Sequence, residues 1–99
     1  SNARNLVSHV ESCFADSEDY QQCTTAAQLG NTGLDLGSSP GQVAVAATAA
    51  NAYTVTAVSK NASHTFTIAR NADGTIVRDC SNHGDGGCKS TADNQNNYW

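Results

Sequence analysis

Four cysteines stand as two close pairs, Cys13 with Cys23 and Cys80 with Cys88, in a 99-residue chain with few large apolar side chains. Leu, Ile, Val and Phe number 15 together, Met is absent, and Ala, Thr, Asn and Ser abound. A chain of this length buries one modest core, and so thin a core leaves covalent staples a large share of the stability. An even cysteine count in a small polar chain favours an oxidising compartment and a disulfide framework. Three pairings are open in principle. Cys13–Cys23 and Cys80–Cys88 are favoured, because short loops close with little chain movement and Gly84, Gly86 and Gly87 accept the bend. Loops of this size are each worth about 2.5–3 kcal/mol on a chain-entropy argument. The rival is a metal site at Cys80, His83 and Cys88, flanked by Asp79 and Asp85. That spacing lacks the tight Cys-x-x-Cys type of unit used by structural zinc, and "DGTIVRD" and "NHGDGG" lack the EF-hand ligand rhythm. No metal and no cofactor is expected.

The apolar residues change period along the chain. Leu6, Val7, Val10, Cys13 and Phe14 form one stripe on a helix over 4–18, with Arg4, Ser8, Glu11 and Ser12 largely off it. "SNA" over 1–3 resembles a tag scar, and no capping phrase precedes the stripe. "CTTAAQLG" allows a second helical turn ended by Gly30, and "GNTGLDLGSSPG" reads as a loop. From there the period is two. "QVAVAA", "AYTVTAVS", "HTFTIAR" and "TIVRDC" are four short strands within 42–80, rich in Val and Thr. "NADG" suits a hairpin with Gly74 left-handed, and Asn61 is the candidate for the same duty in "KNAS". Connections this short make neighbours antiparallel.

The expected fold class is therefore α+β, one domain over 1–99, its N-terminal helix packed on a four-stranded antiparallel meander. The expected core is Leu6, Val7, Val10 and Phe14 from the helix and Val43, Val45, Tyr53, Val55, Phe66, Ile68 and Ile76 from the strands. The opposite, Thr-rich face can stay wet. Residues 81–99 read as a disulfide loop and polar tail. Tyr98 and Trp99 either pack on the sheet edge or helix, or stay exposed as a surface contact.

Charge and motif exclude several functions. Nine acids stand against five scattered bases, Arg4, Lys60, Arg70, Arg78 and Lys89, for a formal charge of −4. No convergent basic patch exists for a nucleic-acid backbone or an anionic membrane. No Ser-His-Asp arrangement can be drawn from His9, His64 and His83, and "GSSPG" is not a nucleophile elbow. Glu11, Asp16, Glu18 and Asp19 read as a solvated helix end instead of paired catalytic carboxylates. "GNTGLDLG" lacks the lysine and context of a phosphate loop. An enzyme is not expected. "NAS" at Asn61–Ser63 is formally a glycosylation acceptor.

"ARNLVSHVESCFADSEDYQQCT", the Gly-rich loop, "AYTVTAVSKNASHTFTIAR" and the cysteine-closed end together resemble the soluble part of a type IV pilin, most of all the short pilins of Gram-positive, actinobacterial organisms. The resemblance runs over almost the whole chain in the order helix, Cys pair, strands, Cys pair. It implies that the helix is the lower half of a longer one whose apolar upper half is processed by a prepilin peptidase, anchors the subunit in the membrane, and then packs along a filament. Arg4–Phe14 is then the amphipathic half, and Cys80–Cys88 bounds a region of subunit or surface contact. The implied protein is an extracellular, non-enzymatic filament subunit whose partners are other pilin subunits in a helical filament. A minor pilin, a secretion pseudopilin, or a small secreted disulfide-held binding or inhibitor module are the alternatives. A helix cut in mid-course has a first turn whose N–H groups lost their upstream carbonyls, so fraying at Asn5 and Leu6 is expected.

Overall fold

A computed structural model describes residues 2–99. The chain forms a long helix α1 (Asn2–Ser17), a 3-10 turn (Tyr20–Gln22), a short helix α2 (Ala26–Leu29), and strands β1 (Val43–Ala49), β2 (Ala52–Val58), β3 (Thr65–Arg70) and β4 (Ile76–Cys80). The strands make one antiparallel sheet in the order β1-β2-β3-β4. The α+β class, the meander and both cysteine pairs follow the expectation. Each disulfide joins Cα atoms 5.9 Å apart.

The helical stripe does what its spacing demands. Ala3, Leu6 and Val10 are fully buried, as α1 lies over β1, β2 and β3. Among the described residues α1 runs from Asn2 and stops at Ser17, where Glu18 turns left-handed (φ 55). α2 is set by a capping box: Thr25 accepts from the Gln28 N–H while the Gln28 side chain accepts from the Thr25 N–H. Gly30, at φ 78, ends it.

Strand register fixes which side chains share a face. Val43 opposes Ala57, Val45 opposes Val55, Val55 opposes Ile68, and Ile68 opposes Arg78. Val43, Val45, Tyr53, Val55, Phe66 and Ile68 therefore all face the helix layer. The continuous core joins Ala3, Leu6, Val10, Tyr20, Cys23, Val43, Tyr53, Val55 and Ile68, with Val7, Cys13, Phe14 and Val45 packed against it. The opposite face, with Thr54, Thr56, Thr65 and Thr67, holds no buried residue among those described.

Two expected core residues are placed differently. Ile76 is paired with Arg70 and so points to the helix face, yet it is 46% exposed because it lies beyond the strands that α1 covers. Phe66 is half-buried, and its ring meets Trp99 edge-on at 5.6 Å. The segment read as a loop also contributes more than expected. Leu34 and Leu36 pack on the core beside Leu29 of α2, and Leu36 forms a parallel bridge with Val43 at the β1 edge. Gly74 takes the left-handed turn (φ 90), but between β2 and β3 that role falls to Ala62 (φ 59). Asn61 serves there through its side chain, accepting from Ser59 Oγ, Ser63 N and Ser63 Oγ.

The polar tail is part of the fold. Arg78 N donates to Asn97 Oδ1 (2.7 Å), Tyr98 N donates to Arg78 O (2.8 Å), and Lys89 N donates to Tyr98 O (2.8 Å). The first two bonds cover the outer edge of β4 at Arg78, which would otherwise offer unpaired backbone to another chain. Asn97 is accordingly 2% exposed.

Candidate functional site

Three side-chain clusters hold the chemistry of the molecule. The first ties α1 to the sheet. Tyr20 donates its hydroxyl to Glu11 Oε1 (2.7 Å) and Tyr53 donates to Glu11 Oε2 (2.9 Å), so one carboxylate serves two buried phenols. Tyr20 stacks on Phe14 at 4.1 Å and leans on Tyr53 at 4.6 Å, while the Arg70 guanidinium lies 5.3 Å over the Tyr20 ring. Burial, then the bond to Glu11 and its negative charge, pushes the Tyr20 phenol up to about 12. The same causes push Tyr53 up, against the pull of Arg70. Glu11 is thus no part of a solvated face. Its signal in the sequence was indirect: buried tyrosines need hydroxyl partners, and Glu11 follows the stripe residue Val10.

The second cluster surrounds the Cys80–Cys88 loop. Cys80 and Cys88 are buried, whereas residues 82–87 between them are exposed. Their sulfurs are joined to each other, which removes them as thiolate ligands. His83 Nε2 lies 2.9 Å from Asp79 Oδ1 and its ring stacks on Tyr98 at 3.7 Å. The bond from His83, followed by the Cys80 N–H, holds the Asp79 carboxyl below the usual range. His64 bonds Ser63 Oγ through Nδ1 (2.9 Å), while its buried Nε2 has Asp85 Oδ2 at 3.4 Å and no hydrogen bond. Each histidine thus faces one carboxylate.

The third cluster is a groove between α1 and β4. Arg4, Val7, Ile68, Ile76 and Arg78 line a hollow of about 290 Å³. Trp99 packs beside two of the lining residues, Arg4 and Arg78. Its indole N–H donates to Asp79 O (2.6 Å) and Thr67 O (3.3 Å), and the Arg4 and Arg78 guanidiniums lie 5.1 and 6.0 Å from its ring centre. Arg78 Nε also donates to Trp99 O (2.6 Å). Trp99 and Tyr98 are both half-buried, so of the two expected dispositions packing on the sheet is the one adopted. The groove's apolar floor and cationic rim suit a ligand that carries both apolar carbon and carboxylate. Sequence reasoning missed it because Arg4, Ile76 and Arg78 meet only across the fold.

Among the described residues no helix is long and apolar enough to cross a membrane. Comparison with protein-family models, curated proteins and solved structures gave no match to this chain.

Proposed function

We propose that the chain is the globular domain of a type IV pilin or a related filament subunit: extracellular, cell-surface and structural, with no catalytic role. The observation that carries this reading is the seating of α1. Leu6 and Val10 of its stripe are fully buried and Val7, Cys13 and Phe14 pack against the same core, so the helix lies along the sheet from its first turns. A helix laid along a sheet in this way gives a rigid handle whose upstream extension can pack against other subunits. The rest of the architecture suits a subunit that must survive outside the cell. Two disulfides staple it, its β4 edge is covered at Arg78, and its extents of 38 × 30 × 17 Å describe a flat two-layer body. Adhesion, motility or surface contact are the roles such a filament serves.

The gene's coding sequence upstream of Ser1 and its full-length product test the reading. A long apolar helix continuous with Leu6 behind a prepilin-type processing site, and a processed product that forms filaments under the electron microscope, are expected. An ordinary signal peptide, with a product that stays monomeric, overturns it in favour of a small secreted binding or inhibitor module. A minor pilin or secretion pseudopilin shares the architecture. Calcium titration separates the pseudopilin variant, which would gain thermal stability on binding at its C-terminal region.

A further inference from the structure

We propose that the groove between α1 and β4 is a docking surface for a second copy of this chain, which brings to it the acidic end of its own α1. The proposal rests on the filament reading and names one lateral contact within it. Ile76, at 46% exposure, stands out as the exposed large hydrophobic of the described chain, and it lies in the groove between Arg4 and Arg78. A partner that offers carboxylates beside a little apolar surface complements it in charge and polarity.

The chain carries that complement itself. Between Arg4 and Lys60 there are five carboxylates, Glu11, Asp16, Glu18, Asp19 and Asp35, and no Lys or Arg. Three of them cluster where α1 ends. Asp16 and Glu18 are exposed and, among the described residues, make no side-chain hydrogen bond or ion pair. Asp19 is engaged in capping the 3-10 turn through the Gln21 N–H (2.9 Å). Negative charge at this end opposes the helix macrodipole, whose C-terminal pole is already negative. The isolated fold thus holds an electrostatic conflict that cations from outside relieve, while the groove holds cations and exposed carbon.

The two patches sit at opposite ends of one helix. Twelve residues separate Arg4 from Asp16, about 18 Å along the axis. The filament reading takes the head-to-tail arrangement, in which the groove of each copy holds the acidic end of the next and the contact propagates.

The test uses this chain at low ionic strength, with amide NMR shifts followed as concentration rises to the millimolar range. Concentration-dependent shifts are expected at Val7, Ile76 and Arg78 and again over Asp16–Asp19, fading as salt is raised. Ile76→Asp, at an exposed position, and the double change Asp16→Lys with Glu18→Lys should each weaken self-association about tenfold or more. Mixing the two variants should restore a pair, since the intact groove of one meets the intact acidic end of the other. Retained thermal midpoints confirm that both variants fold. No self-association, shifts elsewhere, or no restoration on mixing overturns the proposal. Filaments of the full-length product that form undiminished with Ile76→Asp overturn the groove and leave the filament reading standing. Pairing of the domain through both patches without polymerisation of the full-length product does the reverse.

Discussion

The two disulfides close loops of similar length, with sequence separations of 10 and 8, yet they do different jobs. Cys23 is fully buried inside the continuous core, and Cys13 packs on it beside Phe14 and the Glu11–tyrosine cluster. Cys80 and Cys88 are also buried, but outside that core, and they pin an exposed glycine-rich loop to the end of β4. One bridge is embedded in helix-to-sheet packing. The other holds a polar flap in which His83 meets Asp79 and Tyr98, and Asp85 meets His64. Chain-entropy reasoning treats them almost alike, so any large difference between them measures packing.

Replacing Cys13 and Cys23 together with Ala should have the largest effect, about 3–5 kcal/mol once lost burial is added to loop entropy. In a domain of this size that lowers the thermal midpoint by more than about 10 °C. The matching change at Cys80 and Cys88 should cost about 2–3 kcal/mol, and its hydrogen-exchange signature should stay near 78–99. Equal midpoints for the two variants would erase the distinction between core bridge and flap bridge.

Between the two bridges in size is Glu11→Ala, which strands two buried phenols and should cost about 2–4 kcal/mol in chemical denaturation. The same node sets an alkaline limit. An ordinary tyrosine titrates near 10.0, whereas Tyr20 in the fold is pushed up to about 12. Within that window the unfolded chain sheds phenolic protons that the fold retains, so stability present below pH 10 falls as pH rises. Tyr53→Phe should soften that alkaline loss, as a pH series of thermal midpoints would show.

At the flap, Trp99→Ala should cost about 1–3 kcal/mol, because the ring is half-buried and covers Phe66. Faster amide exchange at Arg78 should accompany it. The smallest effect belongs to His83→Ala. Asp79 is held below the usual carboxylate range by His83, so its contribution is present above the unfolded value and is lost as pH falls through the folded one. Removing His83 should bring Asp79 back toward an ordinary carboxylate, read by NMR titration, with little change in stability at neutral pH. An unmoved Asp79 would mean that the Cys80 N–H alone holds it.

Much of the fold was legible because it is written locally. Helical spacing from Leu6 to Phe14, two-residue alternation from Val43 onward, Gly74 in its hairpin and two short cysteine loops each draw on neighbours in the chain. Alternation also sets Ile76 and Val77 on opposite faces, and the expected core puts Ile76 on the helix side. Alternation could not say whether anything covers that face, because coverage depends on where α1 ends over the sheet. The candidate surface was illegible for the same reason. Arg4, Ile76, Arg78 and Trp99 come from three distant segments, and no pattern along the chain marks their meeting.

The amino-acid sequence by itself determined the elements, their antiparallel order and the pairing of its sulfurs, since each follows from torsional preference, side-chain period or short loop closure. Tertiary structure alone decided that Glu11 would serve two tyrosines, that Asn97 and Tyr98 would cover the edge of β4 at Arg78, and that Ile76 would remain in a cationic groove. Those outcomes depend on desolvation and on contacts between residues remote in the chain, which exist only once the layers have packed.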